Sequence, residues 1–485
     1  MLNRLTRNRR ESTLGCFCCS LFLTSVALCQ SGQGMYTIRV DEPQQKILGL
    51  GFEIQSDTIG SGNHGMPDEV IAVPHDLVPA ERIRFYHDML HGFRYSRLAM
   101  GLYLRGLDAD KQHILERYPG QINDLREMMV QSGIEGFDVE YWSPAPYWKS
   151  NHAYEGGTIR STDPAFVNAF TDSIVADLQY LQANGLHVSM WGLQNEPGIG
   201  DLTKDATKQI YSTCFYSAPD YFAVMKSAAP KVRALLPDVQ IHATSWLGPV
   251  DERSALIRQD SDLLRQINAW TWHQIGHNSN DQITKQSYYT SNSANKPVYQ
   301  NEFEYQPWSS SKPEGYFINT AQSIMNWMVF ENSPTWFWLH ALKPVSNFEA
   351  KGYALGFWRP PGDKDKIVEP QLAAGHWEYN PNNWNAIAGF LRYLPWDSIR
   401  LTVDEDTVRT DNRIMAWKTP QGKIGLAVTN RSGAPFEFTI KFPEAHSMHG
   451  SRYTINALNT SLATQSGQYL HLTVPDQAIE FWTEP

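Results

Sequence analysis

The stretch HVSMWGLQNEP, residues 187–197, decides the fold that this sequence predicts. An apolar run of strand length ends in the polar pair Asn195-Glu196, and Pro197 cannot continue the strand because it lacks a backbone N–H. In isolation, Asn-Glu-Pro also fits a loop whose carboxylate caps a helix. In a (β/α)8 barrel, by contrast, a carboxylate at the carboxyl end of a strand faces the cleft that all eight strands share. The surrounding sequence decides between the two interpretations.

Short apolar runs and helical patterns alternate along the chain on both sides of this stretch. Eight runs are predicted as buried strands: Ile47–Phe52, Tyr95–Leu102, Phe137–Trp142, His187–Leu193, Val239–Ser245, Ala269–His273, Val298–Asn301 and Thr335–Leu339. Helical spacing predicts helices between them, at residues 163–181, 221–236 and 317–330. This alternation is typical of an α/β fold of the (β/α)8 TIM-barrel type. A doubly wound open sheet is the competing architecture, but no glycine-rich nucleotide-binding fingerprint follows the first strand.

Beyond about residue 398 the apolar period changes to the two-residue alternation of β-strands. Strict alternation is seen in Phe436, Phe438, Ile440 and Phe442, and further strand-like runs lie at 413–417, 423–429, 470–474 and 479–482. We therefore predict an appended C-terminal all-β sandwich domain, into which the strand-like segment 35–40 pairs. The predicted domains are a barrel over residues 46–395 and a sandwich over residues 35–45 plus 396–485.

Composition restricts the class of partner. The chain of 485 residues has a formal net charge of −10 and no long Lys/Arg block in its body, which argues against nucleic acid or an anionic membrane as a partner. Its 16 Trp and 22 Tyr offer rings that stack on sugar faces, although large cores also bury such rings. A neutral substrate therefore fits better, and the aromatic content favours a carbohydrate only slightly.

The N-terminus has the pattern of an export signal, predicted as a signal peptide over residues 1–30. Arginines at positions 4, 7, 9 and 10 precede an apolar run from Leu14 to Leu28, which is too short to span a membrane. We therefore expect a secreted or periplasmic protein with no integral membrane span. Lipoprotein anchoring at Cys29 is a weaker alternative, because the bulky Leu28 precedes it. Removing the signal leaves Cys214 as the last of five cysteines, so no internal disulfide is expected.

A second strand-end carboxylate follows the seventh predicted strand, in the stretch KPVYQNEFE at residues 296–304. If the two-residue period holds, Val298, Gln300 and Glu302 share one face, and Glu302 points into the barrel mouth. Glu304 has the same parity and is the rival candidate. We favour Glu302 because the apolar part of the strand ends just before it. Either carboxylate also fits an exposed βα loop.

With these carboxylates the chain resembles glycoside hydrolase family 30, from about Tyr36 to its end. The resemblance also rests on YTIRV at 36–40, YSRLAMG at 95–101, WSPAPYW at 142–148, QNEP at 194–197 and the C-terminal β module. Two stretches depart from the family pattern. LGFE at 50–53 stands where a Gly-Phe-Gly-Gly run is usual, and Glu302 is followed by Phe-Glu-Tyr rather than small residues. Both flank the sugar site, so the resemblance leaves the subfamily and the substrate open, with glycoside hydrolase families 5, 39 and 79 of the same clan as alternatives.

The resemblance implies a retaining glycosidase in which Glu196 is the general acid/base and Glu302 the nucleophile. It further implies that Arg97 bonds the nucleophile and that Asn195 holds the sugar 2-hydroxyl. His273, at the end of the sixth strand, would orient a carboxylate or a hydroxyl. Three tryptophans would form the floor and walls of the sugar site: Trp338, Trp142 and Trp148. Each of these side chains also has an ordinary structural alternative, an ion pair or a place in the core.

The reaction that the resemblance implies is double displacement on β-linked glucosyl, xylosyl, galactosyl or fucosyl oligo- or polysaccharides. A retaining pair has carboxyl groups about 5–5.5 Å apart, whereas an inverting pair is about 6.5–9.5 Å apart to admit water. A transglycosylase with the same residues and a non-catalytic carbohydrate-binding barrel are the alternatives. No His, Cys and Asp residues show the spacing of metal ligands, so neither a metal nor another cofactor is expected.

Overall fold

The structure, a computed structural model, describes residues 32–54, 73–200, 212–285, 287–305, 315–345, 354–361 and 371–485. The predicted signal peptide at residues 1–30 lies outside the described residues. None of the described helices is long and apolar enough to cross a membrane. Cys214 is buried and carries a free thiol.

The described strands, in chain order, are β1 (Gly32–Ile47), β2 (Gly49–Glu53), β3 (Tyr95–Met100), β4 (Gly106–Leu107), β5 (Ile114–Leu115), β6 (Gly136–Tyr141), β7 (Val188–Gly192), β8 (Gln240–Trp246), β9 (Ala269–Trp272), β10 (Val298–Phe303), β11 (Thr335–Trp338), β12 (His340–Pro344), β13 (Ala354–Trp358), β14 (Trp377–Tyr379), β15 (Ser398–Glu405), β16 (Asn412–Lys418), β17 (Ile424–Asn430), β18 (Phe436–Thr454), β19 (Ala457–Ser461), β20 (Gln465–Val474) and β21 (Ala478–Thr483). The described α-helices are α1 (Pro79–Arg84), α2 (Gln121–Ser132), α3 (Pro164–Ala183), α4 (Ala218–Leu235), α5 (Glu252–Gln259), α6 (Ser261–Gln266), α7 (Asn280–Lys285), α8 (Tyr288–Ser291), α9 (Tyr316–Phe330) and α10 (Pro381–Tyr393).

Eight parallel strands close into a barrel in the order β10, β11, β2, β3, β6, β7, β8 and β9. Each contains most of one apolar run predicted from the sequence, so the predicted (β/α)8 TIM-barrel fold is confirmed. The pairing of β3 with β6 is regular, from Tyr95 opposite Gly136 to Met100 opposite Tyr141. Because all eight strands run the same way, their carboxyl ends meet at one rim.

Helix α3 shows how the helices cover the barrel. It begins at Pro164 with Asp163 at its N-cap, although the Asp163 side chain bonds Ser161 rather than the helix backbone. Proline suits this first turn because the N–H that it lacks has no partner inside the helix. The helix is buried along a stripe with spacings of four and three residues: Phe170, Ile174, Leu178 and Leu181.

Aromatic and aliphatic side chains fill the amino-terminal half of the barrel interior. Tyr95 and Phe337 stack with their ring centroids 6.2 Å apart. At Gly51 a Cβ would lie 2.2 Å from the Phe337 ring, so glycine leaves the room that this ring needs. The cluster is completed by Met190, Ala269 and Tyr299. These side chains make this part of the barrel interior largely apolar.

The large C-terminal sheet has the order β1, β15, β16, β17, β21, β18 and β19, with β20 also paired to β18. Strand β18 changes partner along its length, pairing with β20 at residues 436–448 and with β21 at 449–453. Strand β1 pairs with both β15 and β18, so the sheet curls around a second core. That core contains the predicted alternating residues Phe436, Phe438, Ile440 and Phe442. The predicted C-terminal β domain is confirmed, while its numbered boundaries stay predictions.

Helices α9 and α10 lie between the barrel and this sheet. Arg413 of β16 donates from Nε to Asn326 Oδ1 of α9 at 3.1 Å. Phe390 of α10 meets Phe481 of β21 edge to face, with ring centroids 5.0 Å apart. The two parts of the molecule therefore share both polar and apolar contacts.

Candidate active site

Glu196 lies just beyond β7, in a turn at the carboxyl-terminal rim of the barrel. Its φ of +43° is in the left-handed region, which costs a residue with a side chain about 1 kcal/mol or more. Ser245 of β8 also has a positive φ, +51°, and its carbonyl accepts the Glu196 N–H at 2.9 Å. The turn therefore holds Glu196 against the neighbouring strand.

Strand β10, which carries Glu302, does not have the facing that the sequence predicted. Tyr299 packs in the barrel interior, and Asn301 donates to a buried carboxylate of β6 at 3.5 Å. The odd-numbered residues at this point of β10 therefore face inward. The predicted inward face is wrong for Val298 and Gln300, which lie on the outer side.

Glu302 reaches the interior because the register of β10 shifts. Pairing with β11 is found at Gln300 and again at Phe303, with an irregularity between them. Inside this irregular segment the Gln300 side-chain oxygen accepts the Glu302 N–H at 2.8 Å. A bulge of this kind adds a residue to one strand and changes the direction of the next side chain.

Both carboxylates meet His273, which follows β9 directly. His273 Nδ1 lies 3.1 Å from Glu196 Oε1 and 3.6 Å from Glu302 Oε2. One ligand atom from each of the three residues lies within 4.8 Å of the other two, so the carboxylates of Glu196 and Glu302 are within 4.8 Å at their facing oxygens. The structure thus brings together three of the residues that the sequence predicted.

Arg97 of β3 is fully buried and bonds four side chains. Its Nη1 donates to Glu302 Oε2 at 2.5 Å, and its Nη2 donates to Asn195 Oδ1 at 2.6 Å. Nε donates to Glu140 Oε2 at 3.0 Å, which also accepts from Nη2, and Nη1 donates to Glu53 Oε2 at 3.3 Å. A planar guanidinium with five N–H donors is suited to such a shared position. Arg97 therefore links the ends of β2, β6, β7 and β10.

Burial controls the charge of these groups. It raises the pKa of Glu302, and Glu196 raises it further, whereas His273 and Arg97 lower it. Burial also raises the pKa of Glu53 well above that of an ordinary glutamate. Burial alone would lower the pKa of Arg97, but the surrounding carboxylates raise it, so the guanidinium stays charged. The site combines one permanent cation with carboxyl groups that resist ionisation.

A buried ion pair lies beside this group. His242 Nε2 of β8 is 2.8 Å from Asp138 Oδ1 of β6. Burial opposes the charge on both side chains, but each partner stabilises the other, so the pKa of Asp138 is lowered and that of His242 is raised. At Gly192 of β7 a Cβ would lie 2.4 Å from His242 Cε1 and 2.8 Å from Glu140 Oε1. Glycine at this position makes room for both side chains.

Two of the predicted sugar-site tryptophans lie near the Arg97 group, one against Arg97 itself and one against the end of β10. The ring of Trp142, after β6, has its centroid 4.3 Å from the Arg97 guanidinium carbon. Trp338 ends β11 fully buried and packs against Phe303, the residue after Glu302, with ring centroids 5.9 Å apart. Trp142 therefore belongs to the Arg97 group, and Trp338 supports the end of β10.

Trp148 packs elsewhere. Its indole N–H donates to the Gln112 carbonyl at 2.8 Å and to Ser173 Oγ at 3.1 Å. Its ring lies against Phe166 and Phe170 of α3, with centroids 5.6 and 5.5 Å apart. These contacts place Trp148 in the packing of a loop against α3, and the structure does not join it to the carboxylates.

Glu304, the rival to Glu302, has a different partner. Its Oε2 is bonded to Nδ1 of His340 on β12. Glu304 is 1% exposed, compared with 6% for Glu302. The contacts of Arg97 and His273 given above are with Glu302. The geometry therefore favours Glu302 as the partner of Glu196.

Several residues of this group were not predicted from the sequence: Glu53, Asp138, Glu140 and His242. A signal for two of them exists, because Asp138 and Glu140 alternate within an apolar strand, and acidic residues inside a buried strand must be paired. Glu53 was noted only as a departure from the family pattern. His242 lies in a strand with several other polar residues, Gln240, Thr244 and Ser245, and gives a weaker signal.

Within the described residues, Glu196, His273 and Glu302 are also the set of His, Cys, Asp and Glu side chains that could hold a metal ion. One of the three atoms, Glu302 Oε2, already accepts from Arg97. A metal site with protein ligands needs atoms that are free to coordinate in a defined geometry. The expectation that no metal takes part stays a prediction.

Solved structures share this architecture. The catalytic domain of GH30 xylanase C from Talaromyces cellulolyticus is 14% identical, with a TM-score of 0.67 over 93% of this chain and 100% of that chain. An endo-β1,6-glucanase is 13% identical, with a TM-score of 0.66 over 93% of this chain and 94% of that one. A conserved exported protein from Bacteroides fragilis is 12% identical, with a TM-score of 0.71 over 93% and 100%. No family model and no curated protein matches the sequence.

The chain shares the fold of solved structures of glycoside hydrolase family 30. The resemblance predicted from the sequence is confirmed at this level. Because one fold supports many reactions, the activity has to be argued from the residues of the site.

Proposed function

We propose that this protein is a retaining β-glycoside hydrolase, with Glu302 as nucleophile and Glu196 as general acid/base. The observation that carries the proposal is the distance between these two side chains, whose facing oxygens lie within 4.8 Å. Retaining glycosidases have carboxyl groups about 5–5.5 Å apart, and inverting enzymes need about 6.5–9.5 Å. The short distance supports double displacement over inversion.

In the first step, Glu302 attacks the anomeric carbon and forms a covalent glycosyl-enzyme. Attack requires an ionised carboxylate, and burial works against ionisation of Glu302. Arg97, at 2.5 Å, and His273, at 3.6 Å, counteract this effect by stabilising the negative charge. Their role is to keep the nucleophile ionised although it is buried.

Glu196 would act as the acid in this step and as the base in the next one. It protonates the departing glycosidic oxygen, and it then takes a proton from the water that hydrolyses the intermediate. His273 Nδ1, 3.1 Å from Glu196 Oε1, fixes the side chain in both steps. The positive φ of Glu196 holds its backbone in the conformation that aims the carboxyl group at Glu302.

Asn195 supplies a binding group for the substrate. Its Oδ1 accepts from Arg97 Nη2 at 2.6 Å, which fixes the orientation of the amide. The amide nitrogen is then offered to the substrate. A hydrogen bond to the sugar 2-hydroxyl at this position strengthens in the transition state.

We further propose a β-linked polysaccharide or oligosaccharide as the substrate class and export as the location of the enzyme. The names of the structural neighbours, a xylanase and an endo-β1,6-glucanase, support the substrate class. The basic and apolar N-terminal sequence supports export, and one structural neighbour is described as a conserved exported protein.

The test of this proposal is hydrolysis of aryl β-glycosides and of plant and microbial β-glycans by the purified protein. Proton NMR of the first-formed product gives its anomeric configuration. We expect release of a β-configured sugar that later mutarotates. A first-formed α-anomer would show inversion, and transfer to added acceptors in place of hydrolysis would identify a transglycosylase.

A further inference from the structure

Glu53, the last residue of β2, is a third glutamate on Arg97 and has no place in the two-step reaction. Its Oε2 lies 3.3 Å from Arg97 Nη1, the longest of the hydrogen bonds that Arg97 makes. Its other oxygen, Oε1, is buried and has no hydrogen-bond partner within the described residues. The side chain is 1% exposed, so water does not solvate it.

The charges around Arg97 do not balance if every carboxyl group is ionised. Glu140 accepts two N–H groups from the guanidinium and is its closest counter-ion. Glu302 must be ionised to act as nucleophile. Arg97, Glu140 and Glu302 together then already carry one excess negative charge. An ionised Glu53 would add a second one with only a single long contact to offset it. Burying an unpaired carboxylate is so unfavourable that such a group takes up a proton instead.

We propose that Glu53 works as a neutral carboxylic acid, a positioning residue that leaves the Arg97 guanidinium to Glu302. The inference rests on the proposed function for the role of Glu302, but the proton on Glu53 is measurable without any substrate. A protonated Glu53 keeps its place beside Arg97 and does not compete for its charge. The nucleophile therefore keeps its 2.5 Å contact with the cation.

The groups that face Glu53 agree with this assignment. Arg97 of β3 favours its ionisation, but burial outweighs that effect, and the carboxylates of Glu302, Glu140 and Glu304 oppose ionisation. Glu304 in turn bonds His340 of β12. One cation is thus set against three acidic neighbours and a desolvated position.

The first test is proton linkage in Glu53→Gln. If native Glu53 holds a proton that the unfolded chain releases above about pH 4.3, the native state binds one more proton than the unfolded state. The unfolding constant of the wild type then rises about tenfold per pH unit relative to Glu53→Gln, until native Glu53 ionises. Equilibrium urea unfolding of both proteins between pH 5 and 8 measures this ratio. A ratio that stays constant or falls with pH would overturn the proposal.

A second variant and two further readouts keep the test decisive if Glu53→Gln folds poorly. Glu53→Met has a different stability offset but must show the same pH trend, since it also removes the titrating group. In infrared difference spectra, one protonated-carboxyl band of the wild type should be missing from the Glu53 variants and present in Glu196→Gln. A wild type without that band would refute the neutral acid.

In folded Glu53→Gln, kcat/KM should stay within about tenfold of the wild type, whereas loss of a required charge costs about 100-fold or more. A loss that large would show that the charge is needed, while correct linkage without glycosidase activity would refute only the proposed function.

Discussion

The two carboxylates of the pair have different surroundings, and these divide their roles. Glu302 accepts from the permanent cation Arg97 at 2.5 Å, whereas the side-chain contact of Glu196 is with His273 at 3.1 Å. A carboxylate beside a fixed cation suits the nucleophile. A carboxyl group next to a histidine can exchange its proton during the cycle.

Removal of each carboxylate should therefore have a different effect. Glu302→Ala should lower turnover on the order of 10⁴-fold or more on every substrate, because no other group forms the glycosyl-enzyme. Glu196→Ala should spare dinitrophenyl glycosides, whose leaving group needs no proton, and azide should restore turnover with a β-glycosyl azide as product. Steady-state kinetics with a matched set of leaving groups measures both effects.

Glu304→Ala serves as the control for these variants. It removes the partner of His340 but leaves Glu302 in place, so it should keep the response to leaving groups seen in the wild type. If Glu304→Ala is inactive on all substrates and Glu302→Ala keeps activity, the nucleophile is assigned to the wrong residue.

Arg97 should not tolerate lysine. Lysine keeps the charge but cannot bond Glu302, Glu140 and Asn195 from one planar group. Arg97→Lys should lower kcat/KM by about 100-fold or more and should lower stability, since buried carboxylates lose their partner. Kinetics and urea unfolding of this variant measure the two effects, and near-normal kcat/KM would contradict the role of Arg97.

At the scale of elements, the eight barrel strands were predictable and the geometry of β10 was not. Apolar runs identify buried strands because both faces of a barrel strand are covered. The facing of Glu302 depends on one irregularity between Gln300 and Phe303. A bulge changes the count of residues without changing their apolar character, so the pattern around Glu302 gave no signal for it. Glu302 points into the barrel, but the irregularity in β10 places it there, and the two-residue period does not.

Gln300 should support the position of the nucleophile through this bulge. Gln300→Met has a similar length but cannot accept the Glu302 N–H, now bonded at 2.8 Å. We expect kcat to fall about 10- to 100-fold, because small misplacements of catalytic groups are costly. Val298→Ala, on the same strand and face, is the control and should lower stability but not kcat of the folded enzyme. Equal kcat for Gln300→Met and the wild type would contradict this role.

The position of Trp148 shows where sequence reasoning ended. A tryptophan near a strand end fits a sugar site or a core equally well from its sequence. Only the tertiary contacts with Phe166 and Phe170 decide for the core. Of the residues around Arg97, the sequence predicted Asn195 and Glu302 but not Glu53 or Glu140. The contacts among these residues depend on where each of four strands ends, and the sequence does not give those ends accurately enough.

At the scale of the whole molecule, strand β1 joins the start of the described chain to the C-terminal sheet. Strand β1 pairs with β15 and with β18, both of which belong to the C-terminal part of the chain. Tyr36 and Ile38 of β1 are buried in the core of that sheet. The strand-like segment 35–40 predicted this pairing, although the strand begins earlier, at Gly32.

Ile38→Ala should therefore destabilise the C-terminal β domain. Truncating a buried isoleucine costs about 2–5 kcal/mol. Met35→Ala, at a position 56% exposed on the same strand, is the control and should change stability by less than about 0.5 kcal/mol. Urea unfolding and kcat of the folded variants separate stability from catalysis. Equal stability of the two variants would show that β1 does not hold the domain together.

The central claim is that Glu302 forms a covalent bond with the sugar, and trapping this intermediate tests it most directly. A 2-deoxy-2-fluoro-β-glycoside with a good leaving group slows both steps but slows hydrolysis of the intermediate more, so the glycosyl-enzyme accumulates. Tandem mass spectrometry of the digested protein then identifies the labelled residue. We predict one fluoroglycosyl group on Glu302. A label on Glu304, or turnover of active enzyme without any covalent label, would contradict the claim.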